Sequence, residues 1–346
     1  MDKPFVTIAM PALGEERYIA RAILSLGRIP ERFDYEILVL DGGSTDYTRR
    51  IAEVFARADP RIRLVANERR IQAAAVNLAA SVADPRSRYL IRADCHADYP
   101  PGFVETCIDA LEETGADSVV VRMRTVGATC FQKAVATAQN SRLGNGGSAH
   151  RTDGTSRFVD HGHHAAFRRD AFLAAGGYDE TFTHNEDAEF DVRLRRAGGR
   201  IWLHADAAID YYPRSTIPSL ARQYFSHGSG RARTLHKHRM RPKLRQALPL
   251  AVVGIAVLSL FGSLADPRLL VVPAAYISAA LLVGAFLAVR LSSPCSVASG
   301  LAALVMHAAW AAGFATTFCR LVGKRKGQAR AADRMLQPSG SIGEQP

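Results

Sequence analysis

The chain has 346 residues and a formal net charge of +11, from 44 Lys/Arg against 33 Asp/Glu. That length accommodates one large α/β domain plus an appendage. The five cysteines (Cys95, Cys107, Cys130, Cys295, Cys319) are odd in number and contain no Cys-x-x-Cys pair, which excludes a disulfide scaffold; they read as reduced thiols in a reducing compartment. The basic excess suits nucleic acid, anionic lipid or a phosphorylated substrate, and its position decides between them. Seven Lys/Arg between Arg231 and Arg245 precede a long apolar region, and six between Arg320 and Arg334 follow it. Such flanking clusters are what the cytoplasmic surface of a bilayer attracts. No aromatic-basic platform of the kind that stacks nucleic-acid bases is present, so nucleic acid is set aside as a partner.

The N-terminus does not read as a signal peptide, because the apolar run Phe5–Met10 soon meets Pro11 and two acids. The first domain is therefore expected in the cytoplasm. Phe5–Met10, Tyr35–Leu40, Arg63–Ala66, Tyr89–Ala93 and Ser118–Val121 read as short strands. Glu16–Leu26, Gln72–Val82 and Phe103–Leu111 read as helices by their apolar spacing. Strands alternating with helices predict βαβ units and a mainly parallel sheet, with ligands bound beyond the carboxyl ends of the strands. This α/β domain is expected to span residues 1–240. Residues 246–265, 269–289 and 291–319 carry no charge, and about 20 apolar residues suffice to cross a bilayer. Residues 241–322 are thus expected to form three membrane-associated helices (about 246–265, 269–289 and 297–319), and 323–346 a basic, disordered tail. Three crossings would place that tail outside, against the positive-inside rule; two crossings, with one segment in the interface, would satisfy it. The number of crossings stays open.

Five polar clusters follow the strands. Pro11-Ala-Leu-Gly-Glu15 puts a carboxylate where a base or ribose could donate to it. In Glu36–Asp46, Ser44, Thr45 or Asp46 can cap a helix, but Asp41 ends an apolar strand and wants donors of its own. Arg70 precedes a small-residue helix and suits a phosphate or ribose. In Asp94-Cys-His96-Ala-Asp98-Tyr-Pro-Pro, an extended chain would turn Asp94, His96 and Asp98 to one side, and oxygen donors with an imidazole suit Mn²⁺ or Mg²⁺. Glu186 and Asp187 open a helix, where the dipole favours acids, or supply a general base.

In order and spacing these clusters resemble the family 2 glycosyltransferases of GT-A fold, over about residues 4–212. Pro11…Glu15 is similar to the family's Pro-x-x-Asn-Glu, with Gly14 in place of Asn. Glu36…Asp46 is similar to Val-Asp-Asp-Gly-Ser-Thr-Asp, with Gly42 in place of the second Asp. Asp94-Cys95-His96 falls on the Asp-x-Asp metal motif, with His96 replacing a carboxylate. Phe158–Asp170, Gly176–Glu180 and Glu186–Asp187 are similar to the acceptor-side block. The Asp-Gly-Gly-Ser-Thr-Asp form, the Asp-x-His-Ala-Asp-Tyr-Pro-Pro run and the C-terminal apolar helices most resemble ExoA-type succinoglycan (exopolysaccharide) glycosyltransferases.

The resemblance implies a Rossmann-like GT-A domain followed by membrane helices, anchored in the inner membrane with the domain on the cytoplasmic side. It implies inverting transfer of a hexose, glucose first among the options, from a UDP-sugar to a polyprenyl-diphosphate-linked saccharide. Pro11, Glu15, Asp41, Arg70 and Asp94 would bind the donor. Asp94 would hold Mn²⁺ or Mg²⁺, with His96 or Asp98 or through the diphosphate alone, and Asp187 would be the base, with Glu186 the alternative. The Arg231–Arg245 arm could hold the acceptor's diphosphate as well as lipid headgroups. Gln223 is followed by Tyr-Phe-Ser-His where processive members carry Gln-x-x-Arg-Trp, which implies one sugar per event. The rival readings are a polyprenyl-phosphate sugar synthase and a non-catalytic membrane scaffold that binds nucleotide-sugar.

Overall fold

The computed structural model describes residues 3–147, 151 and 154–336, with residues 324–336 described by backbone alone. Eight strands form one sheet: β1 Phe5–Ala12, β2 Asp34–Asp41, β3 Ile62–Ala66, β4 Ser87–Arg92, β5 Ser118–Thr125, β6 Arg157–Val159, β7 His163–Arg168 and β8 Ile201–Tyr211. Their order is β3-β2-β1-β4-β7-β5-β8-β6. The β3-β2-β1-β4 half is parallel, β7 runs antiparallel between β4 and β5, and β8 is parallel to β5. The expected α/β class with a mostly parallel sheet is therefore what forms.

The strand sequences explain this. Phe5–Ala12 and Tyr35–Asp41 are buried almost throughout, as strands covered by helices on both faces must be. Helices α1 Ile19–Leu26, α2 Thr48–Ala58 and α4 Phe103–Thr114 lie on one side of the sheet. There Ile19, Ile23, Leu26, Phe103, Ile108 and Leu111 join one core cluster. Helix α3, Gln72–Val82, lies on the other. Its buried alanines allow close approach to the strands, and an aromatic group of Phe167, Phe172, Tyr178 and Phe190 completes that core. The remaining helices are α5 Cys130–Gln139, α6 Arg142–Asn145, α7 Arg169–Ala174, α8 Glu186–Arg196, α9 Ile217–Lys237, α10 Leu244–Gly262, α11 Val271–Arg290 and α12 Ser299–Leu336.

Among the described residues, three segments are long and apolar enough to cross a membrane: Leu244–Gly262, Pro267–Arg290 and Pro294–Gly323. They differ in surroundings. Only 6% and 11% of the first two are buried within the protein, against 44% of the third. The difference arises because α12 packs along α9. A Cβ at Gly228 would lie 2.0 Å from the Trp310 carbonyl oxygen, and one at Gly313 would lie 2.1 Å from that of Phe225. Glycine at both positions lets the two backbones meet. Helix continues to Leu336 through part of the segment expected to be a disordered tail; residues 337–346 lie outside the described residues.

One expectation is corrected outright. Cys130 at the start of α5 is bonded to Cys295 in the 3-10 turn before α12, with Cα atoms 5.1 Å apart. The partners are 165 residues apart, so no local spacing announces the pair. Cys95, Cys107 and Cys319 are free thiols.

Candidate active site

The site forms where β1, β2 and β4 end and where β7 and α8 begin. After β1 the chain turns through Gly14 at φ +70°, a left-handed conformation that glycine and asparagine accept. This accounts for glycine where the family pattern has asparagine. The turn directs Glu15 toward His96, whose Nδ1 lies 3.2 Å from the Glu15 carboxylate, and the Pro11 carbonyl accepts from the Cys95 thiol at 3.3 Å. At the end of β2, buried Asp41 accepts from the Ser44 amide at 3.0 Å. Gly43, at φ +83°, lies against the Arg70 guanidinium, the nearest atom 3.3 Å from its built Cβ. Glu15 and His96 thus meet on one side, and Asp41 and Arg70 on the other.

The metal cluster expected from an extended chain does not form. Strand β4 ends at Arg92, and the chain turns at Cys95–His96, with the Ala97 amide donating to the Asp94 carbonyl at 3.3 Å. Asp98 is carried to the opposite side, where it pairs with Arg21 of α1 at 2.9 Å and accepts from Tyr212 at 3.4 Å. There it helps line a cleft of about 170 Å³ with Tyr18, Arg21, His96 and Tyr212. Asp94 stays at the strand end, accepts from the Gln72 amide, and has its own N–H bonded to the Tyr99 hydroxyl at 2.6 Å. The contact with Glu15 engages His96 through Nδ1 and raises its proton affinity. No group of three or more His, Cys, Asp and Glu arranged for a metal exists among the described residues. A magnesium-like ion held by one or two carboxylates and a substrate's phosphates needs no such cage, and Asp94, partly open at the strand end, fits that role.

Two residues to which the sequence reading assigned no role organise the centre. Arg92, its side chain 5% exposed, points to the same face of β4 as Asp94 because strand side chains alternate. Its Nη1 donates to Asp187 at 2.7 Å and to the Tyr178 hydroxyl at 3.2 Å; Nη2 lies 3.4 Å from Glu186 and Nε 3.8 Å from Asp94. His163 sits between the two candidate carboxylates, 3.9 Å from Asp94 through Nε2 and 3.9 Å from Asp187 through Nδ1. Behind them, Asp191 accepts from His161 at 2.6 Å and His164 at 2.7 Å, and His164 meets Tyr178 at 2.6 Å. A charged residue inside the apolar run Tyr89–Ala93 and the His161-Gly-His-His run were the available signals.

The two acids opening α8 differ in proton affinity. Burial and the adjacent Asp187 charge push the Glu186 carboxyl up to about 7. Burial would also raise Asp187, but Arg92, aided by His164, His163 and His161, overrides it and holds this carboxyl well below the usual range. Glu186 therefore carries a stability consequence. Between pH 4.5 and about 7 the folded chain binds more protons than the unfolded chain, so stability falls as pH rises through that window. Glu186→Gln is expected to remove most of this slope and to stabilise the protein by on the order of 3 kcal/mol at pH 8. Melting temperatures of wild type and variant at pH 5 and 8 check it.

A mostly parallel α/β sheet with carboxylates at a strand end and a helix start is the arrangement expected of a GT-A glycosyltransferase, and the comparisons with known proteins bear that class out. The glycosyl transferase family 2 model matches residues 7–174, and that of glycosyl transferase family group 2 matches 101–316. The chain belongs to glycosyl transferase family 2 and is a glycosyltransferase. It is 47% identical over 310 residues to the succinoglycan biosynthesis protein ExoA of Rhizobium meliloti (strain 1021), an alignment covering 89% of this chain and 93% of that one. It is 22% identical over 245 residues to a dolichyl N-acetyl-alpha-D-glucosaminyl phosphate 3-beta-D-2,3-diacetamido-2,3-dideoxy-beta-D-glucuronosyltransferase of Methanococcus voltae, covering 67% and 74%. The fold is similar to that of the mannosyltransferase PcManGT from Pyrobaculum calidifontis, solved with GDP-Man and Mn²⁺. The TM-score is 0.56 at 19% identity, over 91% of this chain and 87% of that one.

Proposed function

We propose that the protein transfers a single hexose, with inversion, from a UDP-sugar to a polyprenyl-diphosphate-linked saccharide in exopolysaccharide synthesis at the cytoplasmic face of the inner membrane. The observation that carries this reading is the pairing of Asp94 and Asp187 on opposite sides of His163, both tied to Arg92. One carboxylate faces the donor loops and the other opens the acceptor-side helix. The similarity to ExoA supports the pathway, and GDP-Man with Mn²⁺ in a structure of similar fold supports a nucleotide-sugar donor and a divalent ion.

Asp41 and Glu15 would accept from the nucleoside, with Pro11 shaping the turn between them and Arg70 beside the phosphates or ribose. Asp94 would hold Mn²⁺ or Mg²⁺, alone or with one imidazole; the ion supplies charge neutralisation for the departing nucleotide. Asp187 accepts the acceptor hydroxyl's proton as that oxygen bonds to the anomeric carbon. The hydroxyl becomes strongly acidic as this bond forms, so a carboxylate of low basicity can take the proton late in the step. Glu186 is the second candidate, because its proton affinity lies near the operating pH.

The helix surroundings support two crossings: α10 and α11, exposed nearly throughout, would cross as a hairpin, while α12 lies against α9. The Cys130–Cys295 bond ties the α11–α12 connection to the start of α5 in the catalytic domain, and it is the one feature that runs against a reducing cytoplasmic setting. Release of UDP from a panel of UDP-sugars, with Mn²⁺ or EDTA and in the presence of membrane lipid extract, tests the function. Release from one donor is expected to disappear with EDTA and to fall at least about a hundredfold in Asp94→Ala. Activity that survives both treatments would remove the metal assignment.

A further inference from the structure

Asp187 and Asp191 stand four residues apart in α8 and so share one face of it. A closed run of hydrogen bonds connects them through β4, the loop after α7, and β7. Arg92 Nη1 donates to Asp187 at 2.7 Å and to the Tyr178 hydroxyl at 3.2 Å. That hydroxyl meets His164 Nδ1 at 2.6 Å, and His164 Nε2 meets one Asp191 oxygen at 2.7 Å. The other Asp191 oxygen is taken by His161 at 2.6 Å. Arg92, Tyr178, His164 and Asp191 are all buried. An ionised carboxylate only accepts, so both imidazoles donate to Asp191. Burial lowers the proton affinity of His164, and the Asp191 charge more than offsets this. In either form the imidazole keeps both neighbours: neutral, its Nδ1 accepts from the Tyr178 O–H; charged, it donates to the Tyr178 oxygen.

Tyr178 is a fixed post. Asn77 of α3 accepts from its amide at 2.7 Å and donates to its carbonyl at 2.9 Å. Gly177 before it holds φ +60°, and a Cβ there would lie 2.5 Å from the Asn77 side-chain oxygen, so only glycine admits this clamp. The ring packs against Phe167, Phe172 and Phe190. Arg92, by contrast, has carboxylates on two sides. Its Nη2 lies 3.4 Å from Glu186, and its Nε, 3.8 Å from Asp94, is buried with no hydrogen-bond partner among the described residues. A planar fork with five donors could instead turn toward Asp94. The Tyr178 oxygen takes the second Nη1 proton and selects the orientation that gives Asp187 the short bond.

We propose that Tyr178 and His164, backed by Asp191, are positioning residues that turn the Arg92 guanidinium toward the acceptor-side carboxylates Asp187 and Glu186 and away from Asp94. The fork then holds the acceptor-side acids in place, and Asp94 is left to the donor side. The proposal rests on the glycosyltransfer reading, in which one of those two acids takes the acceptor's proton.

The test uses full-length protein in lipid nanodiscs, with UDP-sugar turnover and UDP affinity measured separately below the melting temperature of every variant. Tyr178→Phe keeps the packed ring and removes only the oxygen. Its turnover is expected to fall about tenfold, with UDP affinity within about twofold of wild type. His164→Leu, which frees the hydroxyl to turn, should show the same split. Each substitution is then repeated in whichever of Asp187→Asn and Glu186→Gln has lost turnover. There it is expected to cost nothing further, because residues that act through one group are not additive. Wild-type turnover in Tyr178→Phe or His164→Leu overturns the proposal. So does a joint fall in turnover and UDP affinity that adds in full to the carboxylate variant, the mark of a merely structural role. Turnover lost in a carboxylate variant but not in Tyr178→Phe removes the positioning alone. Turnover lost in neither carboxylate variant removes the base reading, and the proposal with it.

Discussion

Asp187→Asn is expected to lower turnover about a thousandfold, within the range contributed by a positioned general base, while leaving nucleotide affinity within a few-fold of wild type. Asparagine preserves the shape of the side chain and a carbonyl oxygen for Arg92, so the packing at the start of α8 should survive. What it removes is the only property that matters to the acceptor, an anionic oxygen that can take a proton. Glu186→Gln is the control. Glu186 shares the Arg92 environment but lies farther from the guanidinium, 3.4 Å against 2.7 Å. If Asp187 is the base, Glu186→Gln should retain most of its activity. Steady-state turnover and nucleotide binding on both variants decide the assignment, and the reversed pattern would transfer the base role to Glu186.

The second large effect is expected at Arg92. This guanidinium is the cation shared by Asp187, Glu186 and Asp94 at the floor of the site. Removing one partner of a buried ion group leaves uncompensated charge, which costs about 3–5 kcal/mol. Arg92→Met should therefore lower the melting temperature by roughly 10 °C for a domain of this size. It should also let the Asp187 carboxyl rise toward the ordinary range, so the acid limb of the activity profile moves to higher pH. Arg92→Lys restores the charge but not the fork, because one ammonium cannot reach Asp187, Glu186 and the Tyr178 hydroxyl together. It should recover part of the stability and less of the activity. A variant with wild-type melting and an unshifted pH profile would show that Arg92 is not the cation that holds the site.

How much of this was legible depended on where each signal resided. β1, β2 and β4 were readable because strands covered on both faces are continuous apolar runs. β7 was not: His163-His-Ala-Ala-Phe-Arg lacks the β-branched residues of a typical strand, and its antiparallel insertion between β4 and β5 is a long-range pairing. Without β7 the position of His163 between Asp94 and Asp187 had no basis. Motif order singled out Asp94, Asp187, Asp41 and Arg70; the structure puts Asp41 and Asp94 at or just beyond strand ends, Asp187 at a helix start and Arg70 in the loop before α3, and their roles are the proposal made above. The grouping of Asp94, His96 and Asp98 failed as a geometry because it needed an extended chain, whereas the backbone turns after Ala93. Arg92 was within reach of period-two reasoning, since residues two apart on a strand share a face. The Cys130–Cys295 pair was not, because it is made by the packing of α5 on the turn before α12.

The union of α9 with α12 bears on how the protein can be divided. Leu220, Ala232 and Leu235 are almost fully covered, at 0%, 0% and 4% exposure, in clusters completed by Met306 and Phe314 of α12. A truncation after residue 240 would not release a soluble enzyme from its anchor. It would strip the outer wall from the helix that braces the His184–Asn185 loop, expose that helix's apolar face, and loosen the entry to α8 on which Asp187 stands. Through α9 the last third of the chain thus supports the catalytic site from behind, and excising it should abolish transfer even when substrate is supplied free of any membrane.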